Sequence, residues 1–179
     1  MLQKSSMEKT IAVFFQTPTK AHYLLDISRN IEIAHTSIKH NIDCLMKAGL
    51  IFETIEKKGQ RKFPLYTANR DAKKFKTAKV LYNLKSVQES GIIEYLEEKL
   101  APKVIVLFGS YRRGEDVESS DIDLFVECKE EQINITKYEK IFAKKIQFHF
   151  KENFLTYPKE LKNNIINGIV MSGFLEVYK

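Results

Sequence analysis

Two aspartates one residue apart, Asp121 and Asp123, and a Gly-Ser pair, Gly109-Ser110, are the residues whose types and spacing could do chemistry together. In the run Ser119-Ser120-Asp121-Ile122-Asp123-Leu124-Phe125-Val126 the acids alternate with apolar residues, as on a strand, where side chains at i and i+2 share a face. Two carboxylates about 6.6 Å apart along such a strand can converge on a divalent cation. Two such cations about 3.5 to 4 Å apart can hold the attacking and the leaving oxygens of a phosphoryl displacement. Paired anions on one face repel each other, so they belong where a cation or solvent offsets them, and an isolated Asp-x-Asp reads as an exposed strand edge. This pair is not isolated. Gly109 removes a Cβ that would keep a phosphate from the backbone, and Ser110 adds a hydroxyl beside amides at the start of a helix, where the dipole favours an anion. Arg112 and Arg113 follow within reach of the same anion.

The elements that must position these residues are legible around them. Pro102-Lys103 introduces the apolar run Val104-Ile105-Val106-Leu107-Phe108, which predicts a strand buried on both faces that ends at Gly109-Ser110. Tyr111-Arg112-Arg113 continues a short helix that Gly114 closes. A helix is expected over 136–143 and a strand over 145–150. Pro158 then opens a helix through Leu161, Ile165 and Ile166, and Gly168 precedes Ile169-Val170-Met171, read as packing around the sheet. Asn163, Asn164 and Asn167 read as polar surface and capping positions.

The ordered string, apolar strand, Gly109-Ser110, Arg113-Gly114, then Ser120-Asp121-Ile122-Asp123-Leu124, resembles the minimal nucleotidyltransferases of the DNA polymerase beta superfamily over roughly residues 88–179. The resemblance implies that Gly109, Ser110, Arg112, Arg113 and Ser120 bind the phosphates of a nucleoside triphosphate, ATP first among them. It implies that Asp121 and Asp123 ligate Mg²⁺ and form the catalytic pair, while a hydroxyl attacks the α-phosphate and releases pyrophosphate. Active members of that superfamily carry a third carboxylate on a later strand, commonly the base that takes the proton from the attacking hydroxyl. Here the inward positions of the expected strand are Gln147 and His149, neither of them an acid, and Glu127 and Glu152 fall outside the motif's position. His149 reads either as a base or metal ligand or as a histidine satisfied by a hydrogen bond.

The first seventy residues have a different character. Met7, Ile11, Phe14 and Phe15 predict a helix over 7–16. Ala21, Leu24, Leu25 and Ile27 predict a second that Thr19 could cap, with a break at 29–32. Ile38, Ile42, Leu45 and Met46 predict a third over 34–48, ended by Gly49. The outward face of this third helix would carry His35, Thr36, Ser37, Lys39, His40 and Asn41. A strand over 50–55, a turn over 56–62 and a returning strand over 63–67 place Lys57, Lys58, Arg61 and Lys62 at a hairpin tip. The order resembles a winged helix-turn-helix domain, which implies DNA as a partner through the third helix and the basic tip, or a protein in the winged helices that bind only protein. Its pairing with a minimal nucleotidyltransferase resembles archaeal proteins of that superfamily.

Charge follows the same division: residues 1–70 carry eleven Lys and Arg against six Asp and Glu, and residues 101–179 carry twelve against twelve, within a total of +6. A basic module beside a neutral one suits contact with nucleic-acid phosphate, although a solvated basic face gives the same count. Between them, 69–90 reads as a linker helix broken at Gly91. Its apolar stripe, with Val80, Leu84 and Val87, permits self-association as a homodimer or packing against its own domain. The expected class is therefore α+β. Its parts are a winged-helix domain over 1–68, the linker helix over 69–90, and over 91–179 a nucleotidyltransferase domain with a mixed sheet flanked by helices.

Hydrophobic content of 44% with 29% charged residues excludes a disordered chain. No run reaches the roughly 18 apolar residues of a membrane span, and the start Met1-Leu2-Gln3-Lys4-Ser5-Ser6 has no secretory h-region, so a cytoplasmic protein without membrane contact is expected. Cys44 and Cys128 suggest neither a disulfide framework nor zinc and read as buried thiols. His22, His35 and His40 have no ligand spacing. Two functions fit these readings. One is transfer of a nucleoside monophosphate, AMP first, to a protein or nucleic-acid hydroxyl, with a toxin as one such protein acceptor. The other is a DNA-binding regulator whose degenerate transferase domain senses nucleotide.

Overall fold

The computed structural model describes residues 4–178. Met1, Leu2 and Gln3 of the N-terminal stretch, and Lys179, lie outside the described residues. The chain folds as two units, 1–79 and 80–179, and the division falls inside helix α4 (Lys73–Ser90).

In the first unit, α1 (Ser6–Gln16) begins with a capping box in which the Ser5 hydroxyl accepts from the Glu8 amide and the Glu8 carboxylate accepts from the Ser5 amide. It buries Val13, Phe14 and Phe15. The second helix starts later than its apolar residues suggest. Residues 21–23 stay extended because His22 exchanges backbone hydrogen bonds with Tyr66, both 2.9 Å, so α2 spans Leu24–Ile31. Thr19 therefore does not cap it. Ala21 and Leu25 are exposed, and the expected break at 29–32 shrinks to Glu32, which ends the helix in the left-handed region.

Helix α3 (His35–Lys47) buries Ile38, Ile42 and Leu45 and shows His35, Thr36, Ser37, Lys39 and His40 to solvent. Asn41 does not join them. It lies three residues after Ile38 and four before Leu45, on the apolar stripe itself, where it is 4% exposed and donates to Thr10 Oγ1 of α1 at 2.9 Å. The hairpin is longer than predicted. Strands β1 (Ile51–Lys58) and β2 (Arg61–Ala68) pair antiparallel from Ile51↔Ala68 to Lys58↔Arg61, leaving only Gly59-Gln60 as the turn. The ladder needs backbone groups rather than apolar side chains, and Gly59 at φ +61° supplies the positive φ of a two-residue turn. Lys57, Lys58, Arg61 and Lys62 are thus exposed strand-end residues rather than a loop.

The second unit is built on a four-stranded sheet in the order β5-β4-β3-β6. Strand β3 (Val104–Phe108) pairs antiparallel with β4 (Ile122–Val126) and with β6 (Ile169–Gly173), and β4 pairs parallel with β5 (Ile146–Phe150). Ile169-Val170-Met171 accordingly forms an edge strand of the sheet rather than packing around it. The alternation of β3 divides the core. Ile105 and Leu107 join Leu124, Val126 and Ile146 beneath α5 (Ile92–Leu100), α7 (Thr136–Phe142) and Val87 of α4. Val104, Val106 and Phe108 join Phe125, Phe154 and Ile165 of α8 (Lys159–Ile166) on the opposite face. Strand β3 is buried along its whole length, as its unbroken apolar run requires. Cys44 and Cys128 are free and only half-buried, short of the full burial expected of them. Among the described residues, no helix is long and apolar enough to cross a membrane.

Candidate nucleotide site

Strand β3 ends at Phe108, and helix α6 (Gly109–Arg113) begins at once, so the chain turns over the end of the sheet. Phe108 is the register partner of Asp123 on β4, which places the Gly-Ser turn beside the Asp123 carboxylate. The approach is close enough to dictate the residue. A Cβ on Gly109 would lie 2.0 Å from Asp123 Oδ2 and 2.9 Å from its Cγ, and Gly109 sits at φ +74°. Only glycine meets both conditions without displacing the acid.

Asp121 lies one residue before β4 begins and is exposed, so the acid pair spans the entry to the strand rather than two positions within it. Ser120 is tied locally: its Oγ accepts from the Val117 amide at 2.9 Å. Of the arginines, Arg113 is exposed and its Nε donates to Glu115 at 2.9 Å. Arg112 is half-buried and its Nε has no hydrogen-bond partner.

On β5, Gln147 is the register partner of Asp123 and is exposed, while His149 two residues on faces the same side of the sheet. His149 Nε2 lies 3.6 Å from Asp123 Oδ1, and its ring meets the edge of Phe108 with centroids 5.0 Å apart. That separation lies just beyond hydrogen-bonding range, and the buried Nε2 has no hydrogen-bond partner. The structure thus brings Gly109, Asp123 and His149 together. Among the described residues, no three His, Cys, Asp or Glu side chains form a ready cation cage. Mg²⁺ does not need one, because it commonly rests on one or two carboxylates and is completed by water and substrate phosphate. The carboxylates Asp121 and Asp123 beside a Cβ-free turn fit such an ion.

Three residues of this region carry no motif. Asn83 on α4 donates to Asp116 Oδ1 at 2.9 Å and to the Tyr111 carbonyl at 2.8 Å. Lys144 pairs with Asp116 Oδ2 at 3.4 Å and donates to the carbonyls of Val117 and Ser120. Together they fasten α6 and the loop 115–120, which leads into the aspartates. Asn83 had a signal, a polar residue at a stripe position three after Val80 and four before Val87. Lys144 had none, since the adjacent Lys145 differs only in placement: their side chains are 8% and 78% exposed. Burial, with the Asp116 charge nearby, pushes the Tyr111 hydroxyl far above its ordinary pKa.

Comparison with known proteins falls on the same stretch. Residues 90–174 match the family described as polymerase beta, nucleotidyltransferase. A protein of Methanocaldococcus jannaschii, provisionally named a protein adenylyltransferase, is 41% identical over 66 residues, which cover 32% of this chain and 66% of that protein. The chain therefore spans just under two thirds of that relative's length. No solved structure matches significantly. The stretch that matches this family encloses β3, the Gly-Ser turn, both aspartates and β5.

Proposed function

We propose that this domain binds a nucleoside triphosphate, ATP first, and transfers its nucleoside monophosphate to a hydroxyl. The observation that carries the reading is the contact between Gly109 and Asp123, an amide-bearing turn without a side chain laid against a carboxylate at the sheet's end. In this reading the amides of the turn and the Ser110 hydroxyl hold phosphate oxygens. Arg112, with its unpartnered Nε, is better placed to meet added negative charge than Arg113, which Glu115 engages. Asp121 and Asp123 would hold Mg²⁺, which when bound supplies charge stabilisation at the phosphates. The acceptor oxygen bonds to the α-phosphorus as its proton passes to solvent, the bond to the bridging oxygen breaks, and pyrophosphate leaves with that electron pair. A protein hydroxyl is the favoured acceptor, in line with the relative's name, and a toxin is one such protein.

The first unit is read as a winged helix in which α3 and the β1–β2 hairpin meet DNA. Its support is the exposure of His35, Thr36, Ser37, Lys39 and His40 along one helix and of Lys57, Lys58, Arg61 and Lys62 at the strand ends. A second reading, a DNA-binding regulator that senses nucleotide without transferring it, is favoured by one observation. Strand β5 offers Asp123 a histidine and an exposed glutamine, and no carboxylate.

Incubation with α-labelled ATP, Mg²⁺ and candidate protein or nucleic-acid acceptors separates the two. Transfer by the wild type that is lost in Asp121→Ala/Asp123→Ala supports the enzyme. Nucleotide binding without transfer, coupled to a change in DNA affinity, supports the sensor. DNA affinity whose salt dependence survives neutralisation of Lys57, Lys58, Arg61 and Lys62 removes the DNA-facing role of the hairpin.

A further inference from the structure

We propose that His149 makes this site select a first-row transition ion, held by the imidazole Nε2 and the Asp123 carboxylate, over Mg²⁺. The inference rests on the nucleotide-site reading above and deepens it by naming the ion.

His149 Nε2 is buried, has no hydrogen-bond partner and stands 3.6 Å from Asp123 Oδ1. Metal–nitrogen and metal–oxygen bonds are each about 2.0 to 2.2 Å, so their sum exceeds the observed gap and an ion seated off the line between the two atoms reaches both without backbone movement. Phe108, packed against the ring with centroids 5.0 Å apart, restricts its swing. Strand β5 fixes its height, two residues along from the register partner of Asp123. A histidine retained only for packing would leave a buried ring nitrogen unsatisfied, which is costly unless something bonds it.

The choice of ion follows from the donors. Mg²⁺ prefers oxygen ligands at octahedral positions, whereas imidazole favours the later divalent ions, in the order Mn²⁺ < Fe²⁺ < Co²⁺ < Ni²⁺. Replacing one oxygen donor by nitrogen therefore weakens the site for Mg²⁺ relative to Co²⁺. Triphosphate oxygens and water complete the coordination for either ion.

The test titrates Co²⁺ and Mg²⁺ separately into the full-length protein with a non-hydrolysable ATP analogue, and records pulsed EPR of the Mn²⁺ complex for coupling to a ligand nitrogen. In wild type the Co²⁺-to-Mg²⁺ affinity ratio should exceed that of the analogue alone by at least tenfold, the scale on which metal-site ligation changes act. The nitrogen coupling should be present. His149→Asp should bring the ratio back to within about threefold of the analogue alone and abolish the coupling. His149→Gln, which keeps a polar side chain of similar reach without an imidazole nitrogen, should abolish the coupling too. Nucleotide taken up with Mg²⁺ as well as with Co²⁺, no nitrogen coupling, and a ratio unmoved by either substitution would overturn the ion selectivity and leave the nucleotide site standing. Absence of analogue binding with any of the three ions would overturn both.

Discussion

Two polar groupings lie in the second unit, and they are treated oppositely. Asn83 and Asp116 are 1% and 2% exposed and the Lys144 side chain 8%, and each finds partners among the others or in the carbonyls of Tyr111, Val117 and Ser120. Asp123, His149 and Arg112 are less buried, yet His149 Nε2 and Arg112 Nε lack hydrogen-bond partners. Four buried side-chain atoms among the described residues are in that position, and two of them belong to the candidate site. A folded chain ordinarily bonds what it buries. The satisfied grouping reads as framework, and the unsatisfied one as a place completed by something that arrives.

The contrast is broken most directly by removing one member of the framework. Lys144→Met removes a buried cation from Asp116 and strips a donor from the 115–120 loop. Losing one partner of a buried pair costs about 3 to 5 kcal/mol, so urea unfolding should show a loss on that scale. A loss under about 1 kcal/mol would mean that the network is not structural. Gly109→Ala should come next. It places a Cβ 2.0 Å from Asp123 Oδ2 at a backbone φ of +74°, and strain of this kind costs on the order of 1 to 3 kcal/mol. Analogue affinity should fall more than tenfold at the same time, because the displaced group is the acid itself. Unaltered affinity would detach the turn from the site.

The same contrast marks what the sequence made legible. The chemistry-bearing string could be read because each part leaves a local trace: an unbroken apolar run for β3, a glycine where the backbone needs positive φ, acids alternating with apolar residues at β4. The framework as a unit could not: Asn83 stood out on its stripe, but the members come from α4, the 115–120 loop and the turn before β5, and nothing local separates Lys144 from Lys145. Tertiary partners also account for the misplaced boundaries. Tyr66 holds His22 extended and delays α2, Thr10 draws Asn41 inward, and the open edge of β3 recruits Ile169-Val170-Met171 as a strand. Periodicity reports which face is apolar, but not which distant residue will claim a polar group on it.

Asp123→Asn sharpens the comparison from the unsatisfied side. It removes a charge that faces His149 at 3.6 Å and that remains about a quarter exposed. Stability in urea should therefore change by no more than about 1 kcal/mol, in either direction, while metal-dependent nucleotide binding falls at least tenfold. Loss of both together would place Asp123 in the framework rather than in the site.

Tyr111 joins the two groupings, since its carbonyl accepts from Asn83 and its helix carries Arg112, and at neutral pH its hydroxyl gives the smallest effect. Burial first, and then the Asp116 charge, raise its folded pKa well above the ordinary value of 10.0. The folded state thus keeps a proton that the unfolded chain releases near pH 10. The contribution is complete below that pH, and it is lost progressively as the pH rises towards the raised folded value. One proton difference is worth about 1.4 kcal/mol per pH unit, so unfolding free energy should fall above pH 10 by about that slope more in wild type than in Tyr111→Phe. The two should show the same pH dependence between pH 7 and 9. Equal slopes above pH 10 would mean that the hydroxyl reaches solvent, and that α6 is less firmly seated on Asp116 than its hydrogen bonds imply.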